Sequence, residues 1–143
     1  MVHNIILFTV NTNNYDEVRW EENLLERCRV DKIPILYYTD RLDQKVPKEV
    51  TMKSLEGVLS EKGLSRDRKI KILAYRYLPE HKYSIYFDAR INIKANLIDK
   101  MLEEFNQGCD WISFKHRYRE SPVIETITAC AYYKMKLMFN KDN

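Results

Sequence analysis

Short apolar runs of strand character alternate along this chain with segments whose apolar residues recur at helical spacing. Ile5 to Val10 (IILFTV), Ile33 to Thr39 (IPILYYT), Tyr83 to Phe87 (YSIYF) and Trp111 to Phe114 (WISF) read as strands, with a further short one expected around Val50 to Met52. Between them, Asp16 is placed to cap a helix reaching about Cys28, with Trp20, Leu24 and Cys28 on one face. Ser65 is placed to cap a helix to Leu78 that Pro79 stops, its apolar face carrying Ile70, Leu73, Ala74, Tyr77 and Leu78. Asn96 opens a helix to Phe105 that Gly108 ends, and Ser121-Pro122 opens a last one in the cap-then-proline manner. The stretch from Arg41 to Gly63 has the weakest pattern. Alternation of this kind predicts an α/β domain over residues 1–143, a mostly parallel central sheet flanked by helices.

Composition narrows the function classes. With 24 basic and 21 acidic residues the net charge is +3, well short of a dedicated nucleic-acid binder, so no nucleic-acid partner is expected. Mean hydropathy is −0.52 and no apolar run approaches the length of a membrane span. Cys28, Cys109 and Cys130 are odd in number, widely spaced and form no zinc pattern, which suits free thiols in a reducing compartment. Met1-Val2-His3-Asn4 has no basic leader region and Ile5 to Val10 is too short for a secretory signal; a cytoplasmic protein is expected.

In open α/β sheets ligands bind beyond the carboxyl ends of the strands, so polar residues there are the first candidates. Thr9, Asn11 and Asp40 fall at the ends of the first two strands, where backbone amides and a carboxylate can hold a base and ribose, or simply build a loop. Asp88 follows the apolar YSIYF run directly; a carboxylate there can hold a divalent cation that bridges a diphosphate, or can cap a turn. Arg68 and Lys71 stand three apart on a helix and share a face, suited to a diphosphate or to a solvated basic surface. No glycine-rich G-x-G-x-x-G follows the first strand, which argues against a dinucleotide site of that type.

The block Arg68-Lys69-Ile70-Lys71-Ile72-Leu73, Tyr77-Leu78-Pro79-Glu80, Tyr83-Ser84-Ile85-Tyr86-Phe87-Asp88 resembles a family of glycosyltransferase domains with the pattern R-x-x-K-I-L-P-H-x-Y-F-P-E-Y-D-Y-S-I-W-I-D-G-N. Lys115-His116-x-x-Arg119 with Glu125 is similar to that family's K-H-P-x-R-D-C-I-Y-E-E-A. Phe8-Thr9 with Tyr15-Asp16-Glu17, and Tyr38-Thr39-Asp40, match its Y-T-A-x-x-G-x-Y-D and F-T-D. These matches run in order over about positions 5 to 130. The resemblance implies a Rossmann-like domain of GT-A type and transfer of a sugar from a nucleotide-diphosphate donor, uridine-based, to a glycan or other hydroxyl acceptor. It implies donor contacts from Arg68, Lys71, Asp88 and Arg119, with Asp88 holding Mn2+ or Mg2+. Glu125 and His116 become the candidates to take the acceptor's proton.

Two departures bear on this reading. The position two after the aspartate, small and polar or acidic in such enzymes, is Arg90, which cannot ligate a metal. The cation is then held by Asp88 with ligands from elsewhere, or Arg90 points away, or Arg90 itself neutralises phosphate. The chain also stops at Asn143, soon after the last predicted helix, where such enzymes normally continue. It is a minimal enzyme, a fragment, or a non-catalytic remnant that binds nucleotide-sugar or glycan. An α/β nucleotide-binding regulator is the reading that needs no sugar at all.

Overall fold

The computed structural model describes residues 3–13, 16–56, 58, 66–109 and 112. The chain divides into two units, Met1–Lys100 and Met101–Asn143. Among the described residues the first unit contains β1 (His3–Asn11), α1 (Glu22–Val30), β2 (Ile35–Thr39), β3 (Val50–Ser54), α2 (Arg66–Ile72), α3 (Ala74–Tyr77) and β4 (His81–Tyr86). A last helix, α4 (Asn96–Asn106), begins in this unit. The predicted strand at 111–114 and the helix from Ser121 lie outside the described residues.

All four strands pair in parallel, in the order β3-β2-β1-β4. A strand buried on both faces carries apolar residues without alternation, and β1 shows it. Ile6, Phe8 and Val10 face a cluster with Leu36, Tyr38, Leu55, Val58, Ile70 and Leu78, which α2 and α3 help to cover. Leu7 and Thr9, between them, are fully enclosed as well. On that second face Trp20 meets Tyr37 edge-on at 5.9 Å and Phe87 at 6.3 Å. Each fully enclosed aliphatic side chain contributes about 1.5–3 kcal/mol, so the sheet centre dominates stability.

Local chemistry sets the ends of the elements. The predicted strand from Ile33 starts at Ile35 because Pro34 has no N–H to give; its carbonyl instead accepts from the Leu7 amide at 3.0 Å. The helix expected from Asp16 starts at Glu22 instead. Asn11 holds the Asp16 backbone, accepting from its N–H (3.3 Å) and donating to its carbonyl (2.6 Å), and the Glu21 carboxylate takes over the cap by accepting from the Leu24 N–H at 2.8 Å. The helix predicted from Ser65 to Leu78 is divided at Leu73, which leaves the helical region (φ −103°, ψ 34°); no described contact explains the break. Tyr38 Oη donates to the last α3 carbonyl, that of Tyr77, at 2.7 Å, satisfying an otherwise orphaned acceptor.

The end of α1 has a feature the sequence does not announce. Ile33 N–H donates to the Cys28 carbonyl (2.8 Å) and Lys32 N–H to that of Arg29 (3.4 Å), the two-bond reversal that normally carries glycine in the left-handed position. Here that position is Lys32, at φ 55°. The same reversal ends α4, with Gly108 at φ 92° donating to Phe105, and Cys109 to Glu104. A side chain in this region carries strain that glycine lacks, so Lys32→Gly is expected to stabilise the protein by about 0.5–1 kcal/mol, read as a higher urea midpoint at unchanged m-value.

Near α1, Arg27 bridges to α4 through Asp99 at 2.7 Å and also pairs with Asp31 within its own helix. Exposed pairs of this kind contribute at most about 1 kcal/mol, so they orient α1 more than they hold it. Among the described residues no helix is long and apolar enough to cross a membrane.

Candidate functional site

A Rossmann-type half sheet runs outward from its first strand, then crosses back to start again on that strand's other side. The order β3-β2-β1-β4 does this between β1 and β4, which places a switch point at their carboxyl ends. A cavity of about 230 Å3 lies there, lined by Val10, Asn11 and Thr12 at the end of β1, Tyr86, Asp88 and Ala89 at the end of β4, and Asp16 and Asp67. It belongs wholly to the first unit.

Asp88 stands just past β4, where the Phe87 N–H still donates to the Phe8 carbonyl at 3.1 Å. Its own carbonyl accepts from the Ile91 N–H at 2.8 Å, closing a turn that carries the chain away from the sheet. Period-two alternation puts Tyr86 and Asp88 on the same side, and Tyr86 Oη donates to Asp88 Oδ1 at 2.5 Å. Lys71, from α2, reaches the same oxygen at 3.7 Å while its ammonium sits 4.2 Å from the centre of the Tyr86 ring. Phe8 supports that ring from below, centroids 5.3 Å apart.

The crevice is electronegative, with three carboxylates on its walls. Burial, then the hydrogen bond to Asp88, then the charges of Asp88, Asp67 and Asp16 raise the Tyr86 phenol far above its ordinary range, so it remains a donor. Oxygen ligands of this type suit a hard cation. Among the described residues no three ligating side chains gather closely enough to hold an ion by themselves.

Of the residues singled out from sequence, Asn11, Lys71 and Asp88 come together here. Asn11 is buried and already engaged, donating to the Asp16 carbonyl and at 3.3 Å to Tyr37 Oη. Thr9 is enclosed within β1, which runs on to Asn11; it does not line the crevice, and its hydroxyl has no partner among the described residues. Asp40 accepts the Asn13 N–H with both carboxylate oxygens, at 2.9 and 3.0 Å, tying the loop after β2 to the loop after β1. Arg68 and Arg90 are exposed and, among the described residues, form no ion pair. His116, Arg119 and Glu125 lie outside the described residues.

Sequence reasoning overlooked Tyr86 and Asp67, and assigned Asp16 only a capping role. For Tyr86 a signal existed: a tyrosine two residues before a strand-end aspartate shares its face.

Three groups keep their protons late. The Cys28 thiol is pushed up to about 11, mainly by burial and then by Asp31; burial also raises Tyr38, and Tyr86 rises with them. Each binds a proton in the folded state that the unfolded chain has already released, so stability falls as pH rises. A urea midpoint flat to about pH 9 and declining above it is the expected profile, with Cys28→Ser removing its earliest part.

Comparison with protein-family models, curated proteins and solved structures yields no match to this chain.

Proposed function

We propose that the crevice between β1 and β4 is the donor site of a GT-A type glycosyltransferase, which takes a nucleotide-diphosphate sugar, uridine-based, and passes the sugar to a hydroxyl acceptor. The observation that carries the reading is the position of Asp88. The residue picked out by the central sequence resemblance stands in the switch-point crevice of a parallel sheet, the place where such sheets bind nucleotides.

Asp16, Asp67 and Asp88 line the crevice, so a diphosphate bound there calls for added positive charge. A divalent cation on Asp88, when bound, would supply the Lewis acidity that draws charge from the departing phosphate. Lys71 is the side chain within reach to share that charge, and Tyr86 fixes the Asp88 carboxylate by donating to one of its oxygens. Arg68, Arg90 and Arg119 are the further cations assigned to the donor. Glu125 and His116 are the groups assigned to accept the proton of the acceptor hydroxyl.

Calorimetric titration of uridine diphosphate, with and without Mn2+, tests the donor site. Binding that depends on the metal and on Asp88 supports the proposal, and donor hydrolysis or transfer then separates an enzyme from a binding remnant. No binding under either condition overturns the donor-site assignment.

A further inference from the structure

We infer that the cavity between the end of α1 and the start of β3 is a second binding site, one that takes a small organic acid with an apolar body, of the medium-chain carboxylate class. It lies at the amino ends of β2 and β3, the opposite edge of the sheet from the crevice, and does not depend on the donor-site reading. Its volume of about 390 Å3 is that of a small-ligand pocket. The lining divides by chemistry. Cys28 is buried and Ile33 and Pro34 are half-buried, so the enclosed part is apolar. Arg29, Lys32 and Lys48 are the exposed members, and Glu49 is the one carboxylate among them.

Charge and backbone conformation both favour an anion. Glu26 already holds Arg29, accepting from it at 2.5 and 3.0 Å. Lys48 acts on Glu26 only from beyond ion-pair distance, and among the described residues neither Lys48 nor Lys32 forms an ion pair. Two carboxylates, Glu26 and Glu49, thus stand against three cations, and two ammonium groups beside an apolar pocket remain for an acid group. The helix end does not need them. The carbonyls of Arg27, Cys28 and Arg29 already accept from the N–H groups of Asp31, Ile33 and Lys32. Lys32 moreover stands at φ 55°, where glycine would end the helix without strain but would leave the cavity one cation short. The Cys28 thiol, pushed up to about 11 mainly by burial, stays neutral and adds no charge against an anion.

Octanoate and its neutral analogue octanol, titrated into the isotope-labelled full chain, test the site through the amide NMR signals of residues 28–33 and 48–50. Octanoate is expected to shift these signals saturably, with octanol binding at least about fivefold more weakly. Lys32→Gly should weaken octanoate about threefold to fivefold while raising the urea midpoint, and Lys48→Ala should weaken it as much at an unchanged midpoint. Lys53→Ala, near the carboxyl end of β3 and outside the cavity lining, controls for net charge and should change the affinity by less than about 1.5-fold. A variant that is more stable yet binds less well is a result that a merely structural Lys32 would not produce. The inference is overturned by no saturable shift below about 10 mM, by saturable shifts confined to other residues, by equal affinity for octanol, or by unchanged affinity in either lysine variant. None of these results bears on nucleotide binding at Asp88, so the donor-site reading stands or falls separately.

Discussion

Alanine at position 88 is expected to cut the affinity for uridine diphosphate with Mn2+ by about a hundredfold or more, while moving the unfolding midpoint little. The first half follows from ligation: the proposed cation has Asp88 as its protein anchor, and losing even an outer partner of a metal ligand typically costs about 10–100-fold in metal affinity. The second follows from location. Asp88 lies past the end of β4 with its side chain 45% exposed, and its loss leaves the Tyr86 hydroxyl and the Lys71 ammonium free to turn to water. Asparagine separates the two contributions. It still accepts from Tyr86 Oη but carries no charge, so Asp88→Asn should fold as the parent does and bind as poorly as alanine. Calorimetry with a denaturation curve on each variant checks both halves. Nucleotide binding that survives both substitutions removes Asp88 from the site.

The other large effect lies one layer below. Phe8 is buried at the centre of β1 and of the cluster that α2 and α3 cover. Phe8→Ala removes a ring from a place the sheet cannot collapse to fill, at a cost of about 3–5 kcal/mol. Against a typical stability of about 5–15 kcal/mol, that brings the protein near unfolding at 25 °C. Ile72→Ala, an equally apolar truncation on the exposed side of α2, should stay within about 0.5 kcal/mol. Because the Phe8 ring also carries Tyr86, weakened nucleotide binding is expected in whatever fraction of Phe8→Ala remains folded. Equal midpoints for the two variants would mean that the sheet centre is not where stability resides.

Much of this architecture could be read from the chain alone, and the reason is burial. β1 and β2 announce themselves because both of their faces are covered, whereas β4, in which only Ile85 is buried, shows itself by its alternation. The stripe of α4 repeats with the helical period for the same cause. The place of Asp88 at the end of β4 was legible because a charge closes the apolar run there. What escaped depends on hydrogen bonds between a side chain and a distant backbone, which leave no periodic trace. The grip of Asn11 on Asp16 displaced the start of α1; the hold of Asp40 on Asn13 joins two loops that are far apart in the chain. Lys32 occupies a conformation that composition would reserve for glycine, and the break at Leu73 falls where neither glycine nor proline marks it.

The all-parallel pairing also governs how this sheet comes into being. No two of its neighbouring strands can form a hairpin, so every ladder waits on a crossover, and loop closure must precede reward. β1 occupies an inner position yet leaves the ribosome before the other strands. Its run from Ile5 to Val10 is uncharged and strand-prone, and Phe8 finds its place against Tyr86 only when β4 has been made. Until then it has the character of an aggregation-prone segment. The same strand that gives the finished sheet its centre is, during synthesis, open to mispairing with another copy of itself until residues 81–86 have been made.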